Sequence, residues 1–327
     1  MLSPKCPALV LAPMDGITDA PMRALQGELA AFTYGVSEFL RVSGTPLPPH
    51  AFLNAVPELR HAAVTPSGMP VQVQILGGDP ERLAESAANA CEAGATAIDI
   101  NFGCPAPTVN RHDGGASLLQ HPLRIRAIVS AVRAAVPPDT PVSAKLRLGW
   151  DTLDAIDENA AMAAEGGASW LAIHARTRLQ GYAPPVYWSP IGRVRDAIGL
   201  PVIANGDIWT FEDFLRCQDE TGCRHFMLGR GALANPALPH QIAQELGIGS
   251  AGRPDLDWSV LLNRLIRWTE YYGQDSRPPM RLKQWLKLAA NHGDFAHFGD
   301  VKRAATTDEL LGILSLVTRE RALVNAP

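Results

Sequence analysis

Eight short apolar runs, each rich in Val, Ile, Leu or Ala, alternate with longer amphipathic stretches along this chain. That alternation is typical of parallel strands covered by crossover helices. The eight predicted strands are Ala8 to Ala12, Tyr34 to Glu38, Val71 to Leu76, Ala97 to Asn101, Val142 to Leu146, Trp170 to His174, Val202 to Asn205 and His225 to Leu228. Because eight parallel strands close into a (β/α)₈ barrel, or TIM barrel, we predict an α/β fold of that class.

The stretches between the strands carry the residues that begin and end helices. Asp79 and Pro80 suit the cap and first turn of a helix whose apolar face runs from Leu83 to Cys91. Gly94 suits the end of that helix. The next predicted strand follows at once, as expected in a regular barrel.

The β pattern stops after Ala237, and the remaining chain differs in character. Three glycines indicate a linker and two later stretches have helical periodicity: Gly247, Gly249 and Gly252, then Leu261 to Leu288 and Glu309 to Val317. A length of 327 residues fits one barrel of about 250 residues and a smaller appendage. We therefore predict a barrel domain over residues 1–245 and a helical domain over residues 246–327.

The distribution of charge also separates the two parts. A net charge of −4 does not indicate a nucleic-acid binder, because neutralising phosphates requires many Lys and Arg side chains. Between Arg264 and Arg303, however, eight Lys or Arg outnumber four Asp or Glu. A surface for an anionic partner is therefore expected in the helical part.

Cysteine usage and hydropathy exclude several classes of protein. The five cysteines form an odd set without CxxC spacing, so we expect free thiols, no disulfide framework and no metal site. No run of about 18 apolar residues occurs, and the first residues lack the apolar core of a signal peptide. We expect a cytoplasmic, monomeric protein with no membrane span.

Polar residues follow nearly every predicted strand, at the end of the barrel where enzymes of this fold place their active sites. In chain order they are Asp15, Glu38, Gln74, Asn101, Lys145 with Arg147, His174 with Arg176, Asn205 with Asp207, and Arg230. Any single one can be no more than the polar end of a strand. Eight in succession predict a functional site at this end.

The last two strands lead into Asn205-Gly206-Asp207 and Gly229-Arg230-Gly231. Glycines at these places let backbone N–H groups approach a phosphate at the usual phosphate site of such barrels. A Gly-Arg-Gly triplet by itself is also compatible with a plain turn. Its position after the eighth strand favours the phosphate of a cofactor.

Lys145 and Gln74 are expected to point into the same mouth of the barrel. An ammonium group can stabilise the anionic N1 side of a reduced flavin, and an amide can bond the edge of its ring. His174 is a further candidate for the ring. For each residue alone, a Lys–carboxylate pair or a buried structural histidine is an alternative.

Asn101-Phe102-Gly103-Cys104-Pro105 is the most specific stretch of the sequence. It places Cys104 just after the fourth predicted strand, on a loop constrained by Gly and Pro. A thiol with a pKa of about 8.5 is mostly protonated at neutral pH, so it can act as a general acid. The following segment, Arg111 to Ala116, is either a lid over the site or a plain surface loop.

Taken together, these motifs resemble the tRNA-dihydrouridine synthases, flavoenzymes that reduce selected uridines in tRNA. The resemblance is carried by Ala12-Pro13-Met14-Asp15-Gly16, Asn101-Phe102-Gly103-Cys104-Pro105, Asp113-Gly114-Gly115-Ala116, Lys145-Leu146-Arg147-Leu148-Gly149, His174-Ala175-Arg176-Thr177, Asn205-Gly206-Asp207 and Gly229-Arg230-Gly231. It implies an FMN-binding catalytic barrel, a helical tRNA-binding domain, and NADPH as the reductant of the flavin.

The resemblance also implies roles for individual residues. Cys104 would protonate carbon 5 of the uracil while the flavin delivers hydride to carbon 6. Asn101 and Arg147 would read the polar edge of a base flipped out of the folded tRNA. The residues that would hold FMN are Pro13, Met14, Asp15, Gln74, Lys145, His174, Asn205, Gly206, Asp207, Gly229 and Arg230.

Two further stretches, Ser37 to Phe39 and Arg281 to Leu286, are similar to the bacterial subfamily that modifies position 16, subfamily C. This similarity implies that the tRNA is oriented by Glu38, Arg281, Lys283 and Lys302. The sequence departs from the family pattern at Ala175, where glycine is usual, and over Val301 to Ala304.

Two alternative functions remain open at this point. A flavin barrel that acts on a free pyrimidine, like the dihydroorotate dehydrogenases, leaves the basic helical tail unexplained. A tRNA-binding protein without catalysis leaves Cys104, Lys145 and Arg230 unexplained.

Overall fold

The computed structural model describes residues 1–3, 5–249, 254–273 and 278–324, with no account of the side chains of residues 278 and 317–324. Its eight strands are β1 (Ala8–Leu11), β2 (Tyr34–Arg41), β3 (Val71–Leu76), β4 (Ile98–Asn101), β5 (Val142–Gly149), β6 (Trp170–Thr177), β7 (Val202–Asn205) and β8 (His225–Leu228). Each strand pairs in parallel with the next, and β8 pairs with β1, which closes the barrel. The predicted (β/α)₈ class and all eight strands are confirmed.

Three of the strands run three residues further than the sequence predicts: β2, β5 and β6. Their extensions contain polar side chains, so the apolar pattern ends before the backbone pairing does. Phe39 pairs with Gln74, and Gly149 pairs with Thr177. The barrel wall is therefore taller at these three strands.

Fourteen helices surround or follow the barrel. They are α1 (Ala20–Leu29), α2 (Pro49–Ala55), α3 (Pro80–Glu92), α4 (Pro107–Asn110), α5 (Pro122–Ala135), α6 (Ala155–Glu165), α7 (Ser189–Ala197), α8 (Phe211–Thr221), α9 (Arg230–Ala234), α10 (Leu238–Glu245), α11 (Trp258–Tyr271), α12 (Pro278–His292), α13 (Phe298–Val301) and α14 (Thr307–Val324) among the described residues. Two 3₁₀ helices cover Pro57–His61 and Gly115–Gln120. Gly252, the last glycine of the predicted linker, lies outside the described residues.

The predicted boundaries of α3 follow from its capping chemistry. The Asp79 side chain accepts a hydrogen bond of 2.9 Å from the backbone N–H of Arg82, which satisfies one of the free donors of the first turn. Pro80 occupies the first turn, where its missing N–H costs nothing. Two residues beyond the helix, Gly94 has φ +106°, a conformation that favours glycine.

The barrel interior is apolar on one side and polar on the other. Alternate residues of β1, β2 and β6 to β8 form an inner apolar cluster that includes Val10, Tyr34, Trp170 and Met227. The corresponding inward positions of β3, β4 and β5 are polar: Gln72 and Gln74, Asp99 and Asn101, Ser143 and Lys145. The outward residues of these same strands belong to the main core between the sheet and the helices.

A second hydrophobic cluster joins the C-terminal helices to the barrel. Met22 and Leu25 of α1 and Leu233 of α9 pack with apolar side chains of α11, α12 and α14. The Trp285 indole donates to the Leu233 carbonyl at 2.9 Å. Leu246 and Ile248 still pack on the barrel core, whereas Leu256 and Trp258 pack on the second cluster.

Candidate active site

A cavity of about 900 Å³ opens at the carboxyl ends of the strands. Fourteen residues predicted for the site line it together: Pro13, Met14, Asp15, Gln74, Asn101, Cys104, Lys145, Arg147, His174, Asn205, Gly206, Asp207, Gly229 and Arg230. This volume lies in the upper part of the usual range for small-molecule sites, about 300–1,000 Å³. The structure thus brings the sequence motifs together in one place.

Hydrogen bonds from neighbouring residues hold the backbone of Cys104 in place. The Asn101 Oδ1 atom accepts from the N–H groups of both Gly103 and Cys104, each at 2.9 Å. The Cys104 carbonyl accepts from Ala116 N at 3.0 Å and from Asn110 Nδ2 at 2.9 Å. The thiol therefore projects from a backbone that is fixed on both sides.

The local environment favours the protonated thiol of Cys104. Burial raises the pKa of this thiol, and the negative charge of Asp15 raises it further. Arg147 and Lys145 act in the opposite direction but do not reverse the shift. A group that keeps its proton at neutral pH can donate it during a reaction.

The segment from Arg111 to Ala116 packs behind Cys104 and does not line the cavity. A Cβ atom at Gly115, which has φ +61°, would lie 2.9 Å from the Cys104 carbonyl oxygen. Asp113 is tied to Arg124 by an ion pair of 2.6 Å. The structure thus favours a supporting loop over the lid interpretation.

Arg147 joins two loops at the mouth of the barrel. Its Nε donates to the Gly103 carbonyl at 2.7 Å, next to Cys104. Its Nη1 donates to the carbonyls of Thr177 at 3.0 Å and Gly181 at 2.7 Å, in the loop after β6. Arg147 therefore positions the Cys104 loop, and its predicted contact with a base stays a prediction.

Lys145 supplies a partly buried ammonium group. Its Nζ donates to Asn205 Oδ1 at 3.2 Å, and Asn205 in turn donates to the Met227 carbonyl at 2.9 Å. Burial, reinforced by the charge of Arg147, lowers the pKa of Lys145 to about 8. The ammonium bonds an amide and not a carboxylate, so its charge is available to an electron-rich ligand.

His174 lies beside Lys145 and is uncharged at neutral pH. Burial and the positive charges of Arg147 and Lys145 lower the pKa of His174 well below its ordinary value. A Cβ atom at Gly206 would lie 2.7 Å from the His174 ring, so this close approach requires glycine. A neutral imidazole offers one donor and one acceptor to a ligand.

At the far side of the cavity, Asp207 bridges two arginines. It forms an ion pair with the buried Arg176 and accepts from Arg230 Nη2 at 3.1 Å. Although burial raises it, the hydrogen bond and charge of Arg176 and the charge of Arg230 hold the pKa of Asp207 below its ordinary value. The Asp207 side chain thus orients Arg230. Because its carboxylate is already paired, Asp207 would contact a ligand through its backbone.

Glu38 and Arg281 lie outside the cavity lining and hold the loop after β1. Glu38 Oε1 accepts from the Ile17 N–H at 3.1 Å, and Arg281 Nη2 donates to the Ile17 carbonyl at 2.8 Å. Arg281 also forms an ion pair with Asp19. Lys283, half-buried on α12, and the exposed Lys302 after α13 do not line the cavity either.

Tyr182 is one of the site residues that the sequence reasoning missed. It lines the cavity with 57% of its surface exposed. The guanidinium groups of Arg147 and Arg230 lie 5.1 Å and 4.9 Å from its ring centre. An aromatic residue next to Gly181 in the loop after a barrel strand was the available signal, but it lies beyond the polar strand ends on which the prediction relied.

Sequence comparison places this chain in a known family. A family model described as dihydrouridine synthase (Dus) matches residues 10–291. The chain belongs to the dihydrouridine synthase family. This membership confirms the enzyme class predicted from the motifs, a flavin-dependent oxidoreductase.

Individual dihydrouridine synthases are similar to this chain over most of its length. The tRNA-dihydrouridine(16) synthase of Pseudomonas putida is 44% identical, over 86% of this chain and 87% of the relative. The protein of the same name from Ralstonia nicotianae is 45% identical, over 94% of each chain. That of Shewanella oneidensis is 42% identical, over 94% of this chain and 96% of the relative.

A solved structure agrees with the fold of this dihydrouridine synthase. An old yellow enzyme homologue from Zymomonas mobilis superimposes with a TM-score of 0.50 at 15% identity, covering 73% of this chain and 88% of the other.

Across the described ranges no helix has the length and apolar character that crossing a bilayer requires. Within those same ranges, no group of three or more His, Cys, Asp or Glu side chains is arranged to hold a metal ion.

Proposed function

We propose that this enzyme reduces the uridine at position 16 in the D-loop of tRNA to 5,6-dihydrouridine, using FMN and NADPH. The observation that carries the proposal is the pairing, in one cavity, of a protonated Cys104 thiol with the partly buried Lys145 ammonium. The first is suited to donate a proton to a ring carbon. The second is suited to stabilise the negative charge of a reduced cofactor.

The donor set of the cavity fits the ring of FMN. Lys145 would lie at the N1 side of the ring, because its ammonium donates to the neutral Asn205 amide and keeps its charge for a ligand. Gln74 and His174 would bond the ring edge, since both line the cavity and carry amide or imidazole N–H groups. Pro13, Met14 and Asp15 would border the ring from the loop after β1.

The phosphate of FMN would lie between the loops after β7 and β8. Asn205, Gly206 and Asp207 lead out of β7, and Gly229 and Arg230 lead out of β8. A Cβ atom at Gly229 would lie 3.2 Å from Met14 Sδ, so glycine keeps the backbone close to the cavity. The Arg230 guanidinium, oriented by Asp207, would supply the positive charge.

Cys104 performs the acid step in this proposal. FMN, when bound and reduced by NADPH, would supply the hydride for carbon 6 of the uracil. The Cys104 thiol gives its proton to carbon 5, and the resulting thiolate recovers a proton from solvent. The charges of Arg147 and Lys145 oppose the rise in the pKa of Cys104 and thus stabilise that thiolate for the interval.

The tRNA would be bound by the barrel mouth and the helical domain together. The proposed domains are residues 1–245 for FMN and residues 246–327 for tRNA, where Lys283 and Lys302 would contact phosphates. Asn101, Arg147, Glu38 and Arg281 would orient the base or the loop around it. We take position 16 from the names of the relatives, and we expect a monomeric enzyme that acts on cytoplasmic tRNA.

The test uses the purified enzyme, NADPH and unmodified tRNA. Dihydrouridine is mapped by mass spectrometry of the digested tRNA, and a transcript with cytidine at position 16 is the matched control. The proposal expects one dihydrouridine at position 16 and none in the control. Reduction of free uridine at a similar rate would support the free-pyrimidine alternative, and modification at another position would correct the site.

A further inference from the structure

The barrel contains a buried carboxylate, Asp99, that the proposed mechanism does not use. It lies on β4 with 3% of its surface exposed and points into the polar side of the barrel interior. Its Oδ2 accepts from Gln74 Nε2 at 2.7 Å, and its Oδ1 accepts from the Ser143 hydroxyl. A buried carboxylate is costly unless its bonds are satisfied, so its presence here requires an explanation.

Three consecutive hydrogen bonds lead from Asp99 to the backbone of Cys104. Gln74 donates to Asp99, and the other atom of its amide, Oε1, accepts from Asn101 Nδ2 at 2.8 Å. Asn101 Oδ1 then accepts from the Cys104 N–H at 2.9 Å, and from the Gly103 N–H at the same distance. All the side chains in this chain of bonds are buried.

The carboxylate determines the direction of the whole chain of bonds. An ionised carboxylate accepts hydrogen bonds and donates none, so the Gln74 amide must turn its nitrogen toward Asp99. The Gln74 amide oxygen then faces Asn101, so the Asn101 nitrogen must donate to it. The Asn101 oxygen is thereby directed to the N–H groups of the Cys104 loop. Without an acceptor at position 99, both amides can turn over, and Asn101 Oδ1 is then used by Gln74.

The surroundings of Asp99 act on its pKa in opposite directions, and the net effect is a rise. Burial raises the pKa of Asp99, while the hydrogen bonds from Ser143 and Gln74 and the charge of Lys145 oppose that rise. In either protonation state Oδ2 can remain the acceptor for Gln74, because a proton on Oδ1 can be donated to Ser143 Oγ. The direction of the bonds therefore depends on the acceptor oxygen more than on the charge.

We propose that Asp99 is a positioning residue that acts through Gln74 and Asn101 to fix the backbone from which Cys104 projects. This role rests on the proposed function only in so far as that function gives the orientation of the thiol its purpose. The hydrogen-bond chain itself can be tested without tRNA or NADPH. The same buried side chains link the cofactor side of the cavity to the acid side, since Gln74 lines the one and Asn101 supports the other.

Alkylation of Cys104 by iodoacetamide, followed by peptide mass spectrometry between pH 7 and 10, measures the state of this thiol alone. The main variant is Asp99→Leu, which removes the acceptor and keeps the same branched arrangement of side-chain heavy atoms. Asp99→Asn keeps an acceptor oxygen for Gln74 but removes the charge. Ser143→Ala is the matched control, because it deletes the other hydrogen bond of the same carboxylate and leaves the chain to Cys104 in place.

We expect Asp99→Leu to loosen the loop and expose the thiol to water, which makes the thiolate easier to form. Alkylation at pH 7.5 should then rise at least about threefold, and the pH profile should move to lower pH. Asp99→Asn and Ser143→Ala should stay within about twofold of the wild-type rate, the scatter expected for a small change in thiolate fraction. In single-turnover reduction of tRNA, Asp99→Leu should be slower by about 10²-fold, as expected when a reacting group is misplaced by about 1 Å.

Equal changes in Asp99→Leu and Asp99→Asn would overturn the proposal, because the effect would then follow the charge and not the acceptor. Wild-type alkylation in Asp99→Leu would overturn it as well. If Asp99→Leu does not fold, Gln74→Leu breaks the same chain at a residue that lines the cavity, and it should give the same faster alkylation. If wild-type enzyme forms no dihydrouridine while these alkylation differences hold, the proposed function fails and the positioning role stands.

Discussion

Arg281 of α12 forms an ion pair with Asp19 at the start of α1 and donates to the neighbouring Ile17 carbonyl at 2.8 Å. The helical part of the molecule is thus bonded directly to the loop that lines the cavity after β1. Family resemblance implies a contact between Arg281 and tRNA. The structure adds a second role, the support of the loop that would border the cofactor.

Replacing Arg281 by Ala should therefore affect cofactor binding even when no tRNA is present. We expect weaker FMN binding in Arg281→Ala, measured by fluorescence titration, because the loop loses two anchors. Lys283→Ala is the control on the same helix, and its FMN affinity should match the wild type. In tRNA binding, Lys283→Ala should reduce the slope of log K against log salt by about one unit for each phosphate that the protein no longer neutralises. Unchanged FMN affinity in Arg281→Ala would limit this residue to a role outside the cofactor site.

Cys104→Ala should retain FMN and fold normally but lose most of its turnover of tRNA. General acid catalysis contributes about 10² to 10⁴-fold, so single-turnover reduction of uridine should slow by that factor. Reduction of the flavin by NADPH should not change, since no acid is needed there. Cys6→Ala, at an exposed thiol, is the control. Wild-type turnover in Cys104→Ala would remove this thiol from the mechanism.

The pH profile of uridine reduction should also follow from the state of Cys104. Burial raises the pKa of this thiol, so the acid form persists above a pH of about 8.5, the ordinary thiol value. The contribution of Cys104, taken at each pH as the ratio of the wild-type rate to the Cys104→Ala rate so that the titration of Lys145 cancels, should therefore stay constant through that pH and fall only at higher pH. Single-turnover rates across pH 6 to 10 give the measurement. A decline that begins near pH 7 would contradict the direction of the shift.

Lys145 should weaken the stability of the FMN-free protein at neutral pH. Its pKa is lowered from 10.5 to about 8, so the buried charge destabilises the folded state below pH 8, and this penalty disappears as pH rises through 10.5. At 1.36 kcal/mol per pH unit the penalty is at most about 3 kcal/mol, because Lys145 is still partly exposed and solvent screens its charge. Denaturant unfolding of Lys145→Met should show a gain of up to that size at pH 7 and a smaller gain above pH 10. A loss of stability at both pH values would show that the bond to Asn205 matters more.

Arg23 and Glu58 form a fully buried, bidentate ion pair, with two contacts of 2.8 Å. Removing one partner leaves an uncompensated buried charge, so Arg23→Met should lower the free energy of unfolding by about 3–5 kcal/mol. The double variant Arg23→Met/Glu58→Leu should recover part of this loss. Thermal and denaturant unfolding of the three proteins test the prediction. A double variant less stable than Arg23→Met would contradict it.

The barrel was predictable from the sequence because its outward strand residues are apolar and because residues that typically begin and end helices stand between the strands. All eight strands were found, and the three that were predicted too short have extensions containing polar residues that still pair, such as Arg41 with Leu76 and Arg147 with His174. The residues around the cavity were found for a related reason. Strand ends of a barrel meet at one mouth, so polar residues at those ends must come together.

The hydrogen-bond partners inside the site were not predictable in the same way. Asn101 and Arg147 lie where expected, but their side chains bind backbone groups of the Cys104 loop. Asp99 gave no signal, because a single polar residue in an apolar strand does not reveal what it faces across the barrel. Such pairings depend on the register between distant strands, which one-dimensional periodicity does not contain.

The second hydrophobic cluster has a consequence for how the chain can be divided. Met22 and Leu25 of α1 and Leu233 of α9 form one wall of the core that α11, α12 and α14 complete. A barrel fragment cut after residue 249 would leave that wall in water, and a separate tail fragment would lack it. We expect neither piece to behave as a well-folded protein when expressed alone, so the two parts should unfold in a single cooperative transition.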